Sequence, residues 1–226
     1  MIALSGTDAL GVPGVLGCAS TPAGSCLLLE YVAPGPGSRA SSRALGRGLA
    51  RMHQVTATAF GWPRPNFIGS LPQKNSETME WPTFYIHNRL APQYEMARSR
   101  QLLSKEEIPE IDHMGARISS LVPNVSPSLL HGDLWSGNYL ISEGGTPYLI
   151  DPAVYYGHAE VDLAMSLLFG GFSQDFYDAY FEINPKQPGF DLRVKLYQLY
   201  YLLVHLNLFG RSYQASVRAI TSDLFG

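Results

Sequence analysis

Residues 129–141, LLHGDLWSGNYLI, constrain the fold more than any other stretch, because a short polar turn is entered and left by apolar residues. The pattern then alternates. NYLIS and TPYLID flank EGG, a spacing that predicts two short strands joined by a hairpin turn whose glycines supply positive φ. Asn138 opens the first of these strands and Asp151 closes the second, so antiparallel pairing brings both to one end of the hairpin, beside the loop that carries Asp133. Three oxygen-bearing side chains therefore converge. A hard cation such as Mg2+ takes one or two carboxylates together with amide, water and phosphate oxygens, a role that suits Asn138 and Asp151. Asp133 remains to accept or orient the proton of an attacking hydroxyl. A plain hairpin with a capping aspartate is the alternative; a lone Asp-x-x-x-x-Asn does not displace it, whereas the hairpin and the second aspartate do.

Around this turn the chain supplies an ordinary folded body. Its 226 residues, 46% of them hydrophobic, suffice for one large or two small domains with a buried core. Sixteen Lys+Arg against nineteen Asp+Glu give a net charge of -3 with no basic run, which argues against a nucleic-acid partner. The apolar stretch YLLVHLNLF at 201–209 is too short to span a bilayer, and the amino terminus lacks the basic start and apolar run of a secretory signal. No membrane partner and a cytoplasmic location are expected. Cys18 and Cys26 lack zinc-site spacing and read as reduced thiols.

CLLLEYV at 26–32 has strand length, and the APGPGSRASS that follows is a linker, which divides the chain into 1–33 and 34–226. SRALGRGLARMHQ at 42–54 predicts a helix with Ser41 or Ser42 as N-cap and His53 as a capping or core residue at its end. Helices are also expected over 81–98, 106–121 and 191–210, and FGWPRPNFIGSLPQKN reads as loop. In the last helix Leu192, Leu196, Leu199, Leu203 and Leu206 form a core stripe, leaving Tyr197, Tyr200, Tyr201 and His205 on other faces.

The loop Asp, the Asn five residues on and the Asp after a hairpin form the catalytic-loop arrangement of protein-kinase-like phosphotransferases. LLHGDLWSGN, LIDPAVYYGHAEVDLAM, LFGGFSQDFYDAY, LYQLYYLLVHLNLFG, FGWPRPNFIGSLPQKN and WPTFYIHNRLAPQ further resemble the fructosamine-kinase (ketosamine-3-kinase) family, over roughly residues 26–226. The resemblance implies an α+β, protein-kinase-like large lobe, mostly helical, with a catalytic-loop hairpin and a remnant of the small lobe. It implies ATP and Mg2+ as cofactors and phosphorylation of a sugar hydroxyl on a small-molecule or protein-linked ketosamine, whose unstable product sheds the sugar. Asp133 matches the family's catalytic base, and Asn138 and Asp151 its magnesium ligands. Glu30, Tyr31 and Val32 match the adenine-binding hinge, through backbone groups. Trp135 is expected to stack on the substrate sugar. His131 joins it on the substrate side, a structural role in the loop being the commoner use of such a histidine, and Asp162 supports the loop as a cap or backbone anchor. A different small-molecule hydroxyl kinase (aminoglycoside, choline or homoserine type) and a non-catalytic binding module are the other readings.

The chain departs from the family pattern ahead of the hinge. No lysine precedes Lys74 and no glutamate precedes Glu30, and the glycines of SGTDALGVPGVLG do not follow G-x-G-x-x-G. The lysine and the loop that hold the α- and β-phosphates in this fold are thus not found, so weak catalysis by this chain is expected. An arginine such as Arg39, Arg43 or Arg47 is the fallback source of positive charge. The sheet edge left by missing strands favours self-association.

Overall fold

The computed structural model describes residues 1–22, 24–122 and 124–226. Helix α1 (Ile2–Ser5) precedes an antiparallel hairpin of β1 (Val15–Thr21) and β2 (Gly24–Leu29). The hairpin is exposed on both faces, with Leu16, Leu27 and Leu28 in solvent. The strand expected over 26–32 begins earlier and ends at Leu29. Residues ahead of the hairpin dock on the rest of the molecule: Leu4 is buried, and Gly11 exchanges backbone hydrogen bonds with Pro147 and Leu149.

Helix α2 (Arg39–Met52) starts three residues before its predicted span. Ser38 is the N-cap, accepting from the Ser41 N–H at 3.1 Å, while the Ser41 hydroxyl accepts from the Ser38 N–H at 2.8 Å. This reciprocal box corrects the placement of the cap at Ser41 or Ser42, since Ser41 closes the box from inside the helix. The segment read as loop contains a second hairpin, β3 (Asn66–Ile68) and β4 (Leu71–Gln73). Its strands are three residues long and carry Pro72, so no alternation was available to reveal them.

Helix α3 (Trp81–Tyr85), a π-helical turn (Ile86–Leu90) and α4 (Ala91–Ser99) form the single rod expected over 81–98. The π turn has a cause: Pro92 has no N–H for the Asn88 carbonyl, which accepts instead from Arg89 Nη1 at 2.9 Å. Arg89 is fully buried without a carboxylate. Its guanidinium lies 3.9 Å from the Tyr155 ring centroid and donates to the Lys74 carbonyl and to Asn75 Oδ1. The helix expected over 106–121 is interrupted, because Pro109 forces Ile108 to extended backbone (φ -104°, ψ 119°), and α5 spans Ile111–Leu121.

Strand β5 (Ser128–Leu130) pairs antiparallel with β8 (Tyr155–Gly157), and between them lies the predicted hairpin, β6 (Tyr139–Ile141) with β7 (Pro147–Leu149). Four helices complete the fold: α6 (Glu160–Leu168), α7 (Gln174–Phe181), α8 (Phe190–Phe209) and α9 (Gln214–Phe225). Among the described residues no helix is long and apolar enough to cross a membrane.

Helix α8 is the centre of the core, packed by α4, α6 and α9. It buries far more than the predicted leucine stripe. Tyr197, Tyr200 and Tyr201 are also enclosed, each with a hydroxyl partner: His158 Nδ1 at 2.7 Å, Gln73 Oε1 at 2.7 Å and the Gly132 carbonyl at 2.9 Å. A helix apolar over most of its circumference is one largely surrounded by protein, and Asp191 and Lys195 mark the side that stays exposed. Arg193 of α8 and Glu160 of α6 form a buried bidentate pair with two 2.7 Å contacts.

Two outcomes follow for stability. Removing one charge of a buried pair strands the other, so Glu160→Gln is expected to lower unfolding free energy by about 3 kcal/mol or more, read from a denaturant midpoint; a change under about 0.5 kcal/mol contradicts the pairing. His158 is neutral, accepting from Tyr197, and burial pushes its pKa down to about 3. The stability tied to that neutral ring is fully present above its unfolded pKa of about 6.5 and is lost as pH falls from there toward the folded value. A His158→Gln variant is expected to show a shallower acid loss of thermal midpoint than the parent.

Candidate active site

The β5–β8 pairing sets Leu130 opposite Tyr155, so the loop that follows β5 and the segment that precedes β8 run side by side. Gly132 sits at φ +83°, a conformation L residues rarely adopt, and a Cβ there would lie 2.2 Å from the Ala153 carbonyl oxygen. The Ala153 N–H donates to the His131 carbonyl at 2.9 Å, which locks the two segments together.

Asp162, in the first turn of α6, is withdrawn from solvent and accepts three hydrogen bonds: the His131 N–H at 2.8 Å, the Gly132 N–H at 2.8 Å and His53 Nε2 at 3.1 Å. His53 Nδ1 in turn accepts from the Tyr180 hydroxyl at 2.8 Å. The N-cap of α6 is Ala159, so Asp162 binds the loop's backbone rather than its own helix end.

His131, placed on the substrate side by the sequence reading, has no exposed surface. This is a correction. Its Nε2 donates to the Ile150 carbonyl at 2.8 Å and its Nδ1 accepts from the Asp133 N–H at 3.3 Å, so the ring ties the loop to the end of the hairpin from within. Burial lowers its pKa, consistent with a neutral ring using both nitrogens.

Asp133, Asn138 and Asp151 come together. Asn138 Nδ2 donates to the Asp133 carbonyl at 2.8 Å and to Asp133 Oδ2 at 3.3 Å, and stands 3.5 Å from the Asp151 carbonyl. The Ile150 N–H donates to the Asn138 carbonyl at 3.0 Å, continuing the β6–β7 ladder to the site. Asp133 is half-buried. Desolvation, reinforced by the nearby Asp162 and Asp151 charges and opposed by the Asn138 amide, pushes its pKa up to about 7, a value suited to a base working near neutral pH. Asp151 is exposed at φ +48°, a strained backbone that turns it out of the hairpin.

These residues suit a magnesium ion. Asn138 spends its amide nitrogen on the loop, which turns Oδ1 away from those acceptors, and among the described residues no donor engages the Asp151 carboxylate. One carboxylate and one amide oxygen are what a hard cation takes from protein when phosphate and water complete its shell. Among the described residues no cluster of three or more His, Cys, Asp or Glu side chains offers an all-protein cage.

A cavity of about 460 Å³ opens at Asp133. Trp135, 41% exposed, stands at its mouth with its indole against Gly137, where a Cβ would come within 2.3 Å of the ring. The tip of the β3–β4 hairpin, Ile68 and Gly69, and the carboxyl end of α8 form its other walls. That hairpin is held by amides that the sequence reading passed over: Asn66 Nδ2 donates to the Val154 carbonyl at 2.8 Å, and Gln73 Nε2 donates to Asn66 Oδ1 at 2.8 Å. The run of Asn and Gln near prolines was the available signal.

The hinge candidates lie apart from this cluster. The Glu30 N–H donates to the Gly14 carbonyl at 2.8 Å, Tyr31 is exposed, and the Glu143 N–H donates to the Ala33 carbonyl at 3.0 Å, tying the segment after the hinge to the β6–β7 turn. Among the described residues no backbone hydrogen bond engages Tyr31 or Val32. The fallback arginines are committed to other carboxylates: Arg39 pairs with Asp175 of α7 at 2.8 Å, Arg47 with Glu182, the residue capping α7, at 3.3 Å, and Arg43 with Glu182.

An aspartate-bearing loop beside a β hairpin, on a helical body with an exposed hairpin ahead of it, defines the protein-kinase-like phosphotransferases; an ADP-bound aminoglycoside phosphotransferase shares the fold with TM-score 0.58 at 13% identity, over 99% of this chain and 80% of its own. The chain belongs to the fructosamine kinase family, whose model matches residues 1–225. A Haemophilus somnus protein described as a fructosamine-3-kinase superposes with TM-score 0.89 at 28% identity, over 100% of this chain and 77% of its own. A probable ketoamine kinase of Enterococcus faecium is 43% identical over 91% of this chain and 74% of its own length.

The anchoring role of Asp162 is open to measurement. Asp162→Ala leaves two backbone N–H groups and His53 without their acceptor, so a loss of about 3 kcal/mol or more of stability is expected. A midpoint within about 0.5 kcal/mol of the parent contradicts that anchor.

Proposed function

We propose that this chain performs ATP-dependent phosphorylation of a ketosamine sugar hydroxyl, with Asp133 as base and Asn138 and Asp151 on the metal. The convergence of Asp133, Asn138 and Asp151, with Asp133 opening on the cavity, supports this reading, since Asn138 reaches both aspartates through one amide. The substrate hydroxyl gives its proton to an Asp133 oxygen as its own oxygen forms a bond to the γ-phosphorus; the bond from that phosphorus to the bridging oxygen breaks, and ADP leaves. A magnesium ion, when bound, neutralises charge on the phosphate oxygens. Asn138 orients Asp133 from one side while the His131 ring holds the Asp133 N–H from the other. Trp135 offers an indole face for the C–H side of the sugar. The phosphorylated product sheds its sugar, which makes the reaction one of deglycation. The backbone of Glu30, Tyr31 and Val32 is the proposed adenine contact.

The other hydroxyl kinases share only the fold with this chain, at 13% identity for the aminoglycoside enzyme, whereas the fructosamine kinase model spans residues 1–225.

Binding measurements test this without requiring turnover. ATP affinity is expected to depend on Mg2+ in the parent and to lose that dependence in Asp151→Ala. Trp135→Ala is expected to weaken ketosamine binding by about 1 to 3 kcal/mol with much less effect on ATP. Nucleotide binding indifferent to Mg2+ and to Asp151, or no ketosamine binding, overturns the proposal; ketosamine-dependent ADP release lost in Asp133→Asn supports it.

A further inference from the structure

Among the described residues five aromatic side chains are left exposed: Tyr31, Phe67, Trp135, Phe169 and Phe209. Three of them, Trp135, Phe169 and Phe209, line the cavity that opens at Asp133. Phe169 is 42% exposed and Phe209 is 65% exposed, although both belong to helix ends with a large apolar core at hand. Exposed aromatic surface concentrated at a concave site marks a place where something else covers it.

The rings are organised rather than scattered. His205 lies among them, with centroids 4.7 Å from Phe169, 5.4 Å from Phe209 and 5.1 Å from Tyr213. The imidazole is fixed by its Nδ1–H, which donates to the Tyr201 carbonyl at 2.8 Å. Burial lowers its pKa, so the ring is neutral near pH 7 and packs as an aromatic plate. Tyr201 in turn donates to the Gly132 carbonyl, so the cluster is built on the same frame as the catalytic loop.

The charge of the cavity is equally specific. Among the described residues its lining contains no lysine or arginine, and Asp133 is its single carboxylate. Asp133 and Trp135 come to it from the loop after β5, whereas Phe169 just past α6, His205 and Phe209 at the carboxyl end of α8 and Tyr213 just beyond it form one ring cluster in the same lining. A ketosamine has two parts, a sugar that presents the reacting hydroxyl and an amine that carries a substituent. With the sugar at Asp133 and Trp135, the substituent reaches the ring cluster.

We propose that Phe169, His205, Phe209 and Tyr213 form an amine-side subsite that selects ketosamines whose amine bears an apolar or aromatic substituent. The inference rests on the ketosamine reading above. Ring faces gain from covering an apolar group, and the same faces attract the substrate's ammonium through their quadrupoles. A substituent carrying a carboxylate finds no cation in the lining and loses its water on entry.

The experiment is calorimetric binding of two ketosamines made from the same sugar, one from benzylamine and one from methylamine, to the parent chain, Phe209→Ala and Phe169→Ala. Phe209 and Phe169 lie outside the buried core, and an unchanged thermal midpoint serves as the folding control. In the parent the benzylamine adduct is expected to bind at least about tenfold tighter, the scale of one aromatic ring covered. In each variant that ratio is expected to fall to within about twofold of unity. A ratio near one in the parent, or a tenfold ratio unchanged in both variants, overturns the subsite and leaves the ketosamine reading standing. Failure of both adducts to bind the parent overturns the ketosamine reading and this inference with it.

Discussion

The catalytic loop depends on one buried carboxylate. Asp162 is taken entirely out of water, a cost that only hydrogen bonds offset, and it meets the backbone N–H groups of His131 and Gly132 together with His53. The donors come from two separate parts of the fold: two from the loop after β5 and one from the carboxyl end of α2. The loop is therefore positioned by helix packing. α6 brings the carboxylate, α2 brings the histidine, and Tyr180 of α7 fixes the histidine's other nitrogen. Asp133 lies one residue past this anchor and inherits its position.

The site that results offers oxygen atoms and little positive charge. Asp133 is half-buried near two other aspartates, which is why its pKa rises, and the arginines that could have relieved it are committed elsewhere. Arg39, Arg43 and Arg47 bridge α2 to α7, Arg193 is bound to Glu160, and Arg89 is enclosed by carbonyls and ring faces. Such an arrangement leaves room for the cation that the proposed function brings with the nucleotide, since a resident arginine would pair with the aspartates and fill the place.

Packing around α8 links this chemistry to the cavity. The helix is buried over most of its circumference, so its tyrosines are frame members: Tyr200 holds the β3–β4 hairpin through Gln73, and Tyr201 holds the loop through Gly132. Toward its carboxyl end α8 presents aromatic rings to the surface, and there His205 and Phe209 line a concave face. The wall of the cavity and the backbone of the catalytic loop are thus parts of one rigid assembly.

The sequence by itself determined the local machine. The spacing of Asp133, Asn138 and Asp151, the hairpin between the latter two and the helical character of the stretches read as 42–54, 81–98 and 191–210 follow from turn chemistry and periodicity, which act over a few residues and leave a mark in neighbouring letters. Tertiary structure decided the rest. It withdrew His131 from the substrate, because two backbone partners from the loop and the hairpin end enclose the ring; it built β3–β4 from a proline-rich stretch, because Asn66 found the Val154 carbonyl; and it joined His53 to Asp162 across 109 residues. Those outcomes depend on which distant groups become neighbours when the core closes, and no local pattern of residues records that.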